Sequence, residues 1–167
     1  MIRKILTWPN SELKKKSAPV VLINDKIREL VTDMAETMYD APGVGLAAPQ
    51  IGVHQRVIII DVSGKDEPPN LIIAINPDIV HAEGESYEEE GCLSVIKYAA
   101  NVRRHTSVVV KALNLDGEET IHRAEGLLAV AFQHEIDHLD GILFVDHLSP
   151  LKREIFKRKQ RRLLEVA

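Results

Sequence analysis

Apolar residues recur at Ile27, Leu30, Val31, Met34 and Met38, spacings that set one stripe along a helix. Asn24 or Asp25 is a suitable N-cap, and Pro42-Gly43 ends the helix near Ala41. Beyond that point the period changes. Short Ile/Val-rich runs at 56–61, 71–76 and 107–113, bounded by Gly, Pro and Asp, predict β-strands. Asn114-Leu115-Asp116-Gly117 reads as a hairpin turn into a further strand at 120–124. Helical spacing returns over about 125–139 and stops at Asp140-Gly141, where glycine can take the left-handed position that closes a helix. Ser149-Pro150 supplies the N-cap and first residue of a last helix, about 151–165. Strands grouped between helices predict an α+β fold: mixed or antiparallel β-sheets packed around the helix at 125–139, with N-terminal and C-terminal helices.

The 167 residues suit one domain, and no repeat or low-complexity linker divides them. Residues 1–150 read as its main body and 151–167 as a basic helical tail of the same domain. With 21 Lys and Arg against 25 Asp and Glu, the net charge of −4 gives no global reason to bind nucleic acid. The charge is uneven, however: residues 152–162 hold a local +6 and the remaining chain −10. Glu83, Glu85, Glu88, Glu89 and Glu90 read as a solvated strand edge or loop with no role. The purest apolar runs, 57–60 and 127–132, fall far short of the roughly 18 residues of a membrane span. The first residues lack the apolar stretch of a secretion signal. Cys92 is the only cysteine, so no intramolecular disulfide staples the fold, and a reducing cytoplasmic location is expected.

His134-Glu135-Ile136-Asp137-His138 lies inside the second predicted helix. At about 100° per residue, the two histidines stand some 40° apart, one turn from each other on one face. They continue the stripe of Leu127, Val130 and Ala131, so that face looks inward. Buried imidazole nitrogens need partners, and a metal ion satisfies both. Glu135 is set beside such an ion and not necessarily on it, the general-base place of a His-Glu-x-x-His pattern. Asp146 and His147, downstream, lie in no recognised ligand spacing. Cys92, 42 residues upstream of His134, is the better third ligand. Three protein ligands leave a fourth position open and mean a catalytic site, whereas four mean a structural one. Two other readings stay open here: an endopeptidase with its third ligand C-terminal to the helix, and a ribosome-associated binding protein with a structural metal.

Gly43-Val44-Gly45-Leu46-Ala47-Ala48-Pro49-Gln50 is weak evidence alone, and without Lys-Ser/Thr it is no phosphate loop. Taken in order, Gly-Val-Gly-Leu-Ala-Ala-Pro-Gln, Glu-Gly-Cys-Leu-Ser and Gln-His-Glu-Ile-Asp-His-Leu-Asp-Gly resemble bacterial peptide deformylases. The similarity extends to Trp8-Pro9 and to Leu148-Ser149-Pro150-Leu151-Lys152. The resemblance implies a metal-dependent hydrolase that removes formyl from the N-terminal formyl-methionine of newly synthesised polypeptides. It implies that Cys92, His134 and His138 hold one ion per chain, typically Fe2+, with Zn2+, Ni2+ or Co2+ able to substitute. Glu135 would be general base to the water that attacks the formyl carbon. The Gln50 amide and the Leu93 N–H would donate to the oxyanion. Val44, Gly45 and Gly91 would line the substrate cleft, pairing with the peptide as an added strand. A monomer is expected, acting on nascent formyl-methionyl chains and docking on the ribosome through the basic tail, with no membrane and no sequence-specific nucleic acid as partner. Ile96-Lys97-Tyr98-Ala99 departs from the family, which usually has proline after Val95 and an arginine near Ala99, and Arg103-Arg104 stands where Pro-Arg is common. The departures are expected to alter the outer contacts of the cleft and the efficiency, not the chemistry.

Overall fold

In the computed structural model, which describes residues 1–166, the first apolar stripe forms α1, Asp25–Asp40. Asn24 caps it by accepting from the Ile27 N–H at 3.2 Å. Ile27, Leu30, Val31, Met34 and Met38 are all buried. Seven strands follow: β1 Gly45–Ala47, β2 Val57–Ile60, β3 Ile72–Glu83, β4 Ser86–Cys92, β5 Val95–Arg104, β6 Ser107–Leu113 and β7 Glu119–Glu125. Then come α2, Gly126–Leu139, and α3, Pro150–Val166. The α+β expectation holds. Ala167, the last residue of the expected tail, lies outside the described residues.

An antiparallel sheet runs in the order β1-β2-β3-β6-β7. β2 has no exposed residue because both its faces are covered. Val57 and Ile59 pack with α1, while Ile58 and Ile60 pack with Phe132, Ile136 and Leu139 of α2. An uninterrupted apolar run is what a doubly covered strand requires, since alternate side chains serve two cores. β3 extends well past the expected end at Asn76, through two register irregularities. Asn76 has φ 51° and its side-chain amide exchanges two hydrogen bonds, 2.8 and 2.9 Å, with the Val20 backbone. Pro77, which has no N–H to donate, sits at the first irregularity.

β4 and β5 form a separate two-stranded ribbon whose register ends at Cys92 opposite Val95, a tight turn. The acidic segment is therefore largely strand, and Glu90 is buried, contrary to the solvated reading. A third core joins Val95 and Val102 of the ribbon to Leu13, Phe144 and Phe156. Of α3, only Phe156 and Gln160 are buried. No helix among the described residues is long and apolar enough to cross a membrane.

Asp61, just after β2, ties the rim of this framework together. Its carboxylate accepts from Tyr39 Oη and Ser63 Oγ, both at 2.6 Å, and from the Ser63 and Asn70 N–H groups at 2.9 and 3.0 Å. Burial works to raise the carboxyl pKa, but these donors outweigh it and hold the group down at about 2, from 3.8. Burial and the facing carboxylate push Tyr39 up to about 12. Because the folded pKa of Asp61 is depressed, its contribution of about 2 kcal/mol is complete above pH 4 and is lost as pH falls toward 2. Asp61→Asn is expected to lose that amount at pH 7 and to flatten this acid limb, read from urea midpoints between pH 2 and 7.

Candidate active site

α2 presents His134, Glu135 and His138 toward the ribbon, and Cys92 ends β4 opposite them. One nitrogen of each histidine and the Cys92 sulfur all lie within 4.8 Å of one another. Cys92 Sγ is 3.3 Å from His138 Nε2, and the two imidazole centroids are 5.0 Å apart. His134 Nδ1 meets Glu90 Oε1 at 3.0 Å, which leaves Nε2 for the interior. Such an outer partner fixes ring orientation and tautomer.

Glu135 is the telling side chain. It is buried, its Oε1 has no hydrogen-bond partner, and that atom sits 3.9 Å from His138 Nε2. Burial raises its pKa to about 7, against the opposing pull of His134 and Arg104. Burial also lowers the His134 pKa, but Glu135, Cys92 and Glu90 outweigh it and push that ring well up. His138 is pushed well down by burial, by His134 and by Arg104, and so stays neutral. A sulfur, two imidazoles and an orphaned carboxylate oxygen thus come together at one point. One divalent cation fits this donor set.

Gln50 comes from the 3-10 turn Ala48–Ile51 after β1. Its Oε1 accepts from the Ala47 N–H at 2.9 Å, so Nε2 turns toward the ribbon, donating to Ser94 Oγ at 3.0 Å and lying 3.7 Å from Cys92 Sγ. Gly45 passes directly over Glu135: a Cβ there would stand 2.7 Å from Glu135 Oε2. Only glycine lets β1 approach so closely. Val44, Gly45, Gln50, Gly91, Cys92, Leu93, His134 and Glu135 border one cavity of about 430 Å³, with Leu127, Val130 and Ala131 as further apolar lining. Among the described residues β1 pairs with β2 alone and β4 with β5 alone, so two strand edges flank the cavity. All nine sequence-derived site residues come together; His138, fully covered, lies behind the cavity wall.

Three residues at the site were not anticipated as such. Arg104 Nε and Nη2 grip Glu90 at 2.8 and 3.0 Å, and its Nη1 reaches Asp137 at 2.7 Å. Burial works to raise the pKa of Glu90, but His134 and Arg104 hold it below the usual carboxylate range. A usable signal existed: Glu90 is only two residues from Cys92, and Asp137 is three from His134 along one helix and so shares its face. Asp146 and His147 stay out of the ligand group. Asp146 Oδ2 accepts from the Leu143 N–H at 2.8 Å, and His147 Nε2 pairs with Asp137 at 2.8 Å. That removes the downstream third ligand that the endopeptidase reading needs.

Residues 2–154 match the family model described as polypeptide deformylase. The chain is 50% identical over 166 residues to the peptide deformylase of Syntrophobacter fumaroxidans, covering 99% of this chain and 98% of that one. It is also 50% identical over 163 residues to that of Acidobacterium capsulatum, covering 98% and 96%. A crystal structure of peptide deformylase from Legionella pneumophila superposes with a TM-score of 0.93 at 48% identity, over 99% of this chain and 97% of that one. The Ehrlichia chaffeensis enzyme in complex with actinonin gives 0.91 at 38% identity, over 96% of each chain. With the family model, the relatives and the fold in agreement along nearly its whole length, the chain belongs to the polypeptide deformylase family.

Proposed function

We propose that in this deformylase, a metal-dependent hydrolase that removes the formyl group from nascent polypeptides, Cys92, His134 and His138 hold the ion and Glu135 moves the proton. The observation that carries this reading is the buried, unpartnered Glu135 carboxylate oxygen beside three converging donor atoms. A divalent ion there supplies Lewis acidity, polarising the formyl oxygen and making water a stronger acid. Glu135 takes a proton from water as it attacks the formyl carbon and delivers it to the departing amine, so that the C–N bond breaks into formate and a free N-terminus. Gln50 Nε2 and the Leu93 N–H donate to the oxygen that gains charge at the tetrahedral stage. Val44, Gly45 and Gly91 pair with the substrate backbone between the two strand edges, and the apolar lining receives the methionine side chain.

Ferrous iron is the ion assigned, with zinc, nickel or cobalt as substitutes, since one sulfur and two imidazoles suit each of them. An anaerobic preparation is expected to contain about one iron per chain and to release formate from a formyl-methionyl peptide, with activity declining in air as the thiolate site oxidises. A preparation holding only zinc, at undiminished turnover, overturns that assignment. A sensitive thiolate also suits a reducing cytoplasm. The monomeric chain comprises a catalytic body, residues 1–150, and the tail helix of the same domain.

α3 docks on the ribosome. Lys152, Arg158, Lys159, Arg161 and Arg162 are exposed along it, and such a face binds RNA phosphates in a salt-dependent manner. Reversing Arg158, Lys159, Arg161 and Arg162 to glutamate is expected to abolish salt-sensitive co-sedimentation with ribosomes. Turnover of a short formyl peptide should stay within about twofold, because these side chains make no site contact.

A further inference from the structure

Residues 42–45 form one wall of the cavity, between the end of α1 and the start of β1. Gly45 stands opposite Ile60 of β2, and the bond beside this pair runs from the Asp61 N–H to the Val44 carbonyl, at 2.8 Å. Along a strand, successive residues turn their N–H and C=O groups to opposite edges. With the Val44 carbonyl committed to Asp61, the N–H and C=O of Gly45 face the other edge, where β1 has no partner strand among the described residues. The bond between Asp61 and Val44 therefore orients the rung that is left for a peptide.

Nothing in that backbone bond calls for an aspartate. A buried carboxylate is costly unless its oxygens are satisfied, and Asp61, 5% exposed, has four donors. Their placement is informative. Tyr39 lies on the last turn of α1, five residues before Val44, and its hydroxyl donates to Asp61 Oδ2 at 2.6 Å. The Asn70 N–H meets the same oxygen at 3.0 Å, and Ser63 holds Oδ1 through both its N–H and its hydroxyl. The side chain thus ties the end of α1 and the two ends of the 63–70 loop to the residue whose N–H holds the cavity wall. Glu135 and the two histidines stand on α2, outside this clasp.

We infer that Asp61 and Tyr39 are positioning residues for substrate binding: their clasp locks Val44 to the end of β2 and so presents the Gly45 rung to the peptide backbone. The inference rests on the pairing role proposed above for Val44 and Gly45. A backbone rung of this kind binds the ground state and the transition state alike, so loosening it raises KM and leaves kcat nearly unchanged. One hydrogen bond is worth a few-fold to about tenfold in affinity.

The test uses Asp61→Asn, and Tyr39→Phe as a milder variant that keeps the carboxylate and its other donors, both in the full-length, metal-loaded protein near neutral pH. For a short formyl-methionyl peptide, KM is expected to rise about fivefold in Asp61→Asn and about threefold in Tyr39→Phe, with kcat within about twofold. Exchange of the residue 61 amide, which reads the bond to Val44 directly, should quicken about tenfold in Asp61→Asn while the amides of α2 stay protected. Unchanged KM in both variants, or kcat falling at unchanged KM in step with lost folded protein, overturns the inference. The pairing on which it rests is checked without the variants: titrating the zinc-loaded, diamagnetic wild-type protein with the product methionyl peptide should shift the Gly45 amide signal in an NMR spectrum. No shift there overturns the pairing and the inference with it, whereas a shift alongside unaltered KM in the variants overturns the inference alone.

Discussion

Replacing Glu135 with glutamine or alanine is expected to lower formate release by about 10²- to 10⁴-fold, or about 3–5 kcal/mol of barrier, while metal content stays at wild-type level. The size follows from position. Glu135 follows His134 on α2, lies directly beneath Gly45, and sets its Oε1 beside the point where the three donor atoms converge. Its Oε1 has no partner in the protein, so removing the carboxylate breaks no structural hydrogen bond there. The loss should therefore appear in kcat and not in folding. Glu135→Gln is the cleaner variant, since it keeps the shape beneath Gly45 and removes only the basicity. Turnover within about tenfold of wild type in both variants contradicts the assigned role.

Cys92→Ser is expected to lose the metal, from about one ion to less than about 0.1 per chain, and to lose formate release by at least about 10³-fold. A serine hydroxyl is not ionised near neutrality and is a poorer ligand than a thiolate for the ion proposed to bind there. The structure offers no substitute from the chain downstream, because Asp146 and His147 are occupied with Leu143 and Asp137. Cys92 is only partly buried, at the end of a strand, so the fold should survive. The decisive comparison is metal content after dialysis, with the unfolding midpoint of metal-free wild type as the reference. Retained metal with intact stability means that a different third ligand holds the ion.

How far these outcomes could be foreseen from residues alone differs from one element to the next. α1 was fully legible, because a helix exposed on one side writes its buried face as a spacing of three and four, and all five stripe residues are buried. β2 was legible as a strand, although its four consecutive apolar residues do not say that two cores lie on either side of it. The ribbon of β4 and β5 was not. Its outer face is polar, its inner face mixes Val102 with Glu90 and Arg104, and no period of two survives that mixture. Glu90 shows the difficulty most plainly. Among five glutamates in eight residues it looked like one more solvated acid, yet it is buried because Arg104 and His134 hold it.

Within α2 the two histidines and Glu135 were bound to share a face, since helical geometry is local and four residues make about one turn. The order of the three motifs along the chain likewise marked the family before any coordinate was considered. Tertiary structure alone decided how these parts meet: that Cys92 arrives 3.3 Å from His138 across 46 residues, that Glu90 is covered, and that α3 turns Phe156 and Gln160 inward. The physical reason is one of range. Periodicity records which side of an element avoids water, whereas the pairing of distant polar groups depends on strand register and on the packing of separate cores, which leave no regular mark in the order of residues.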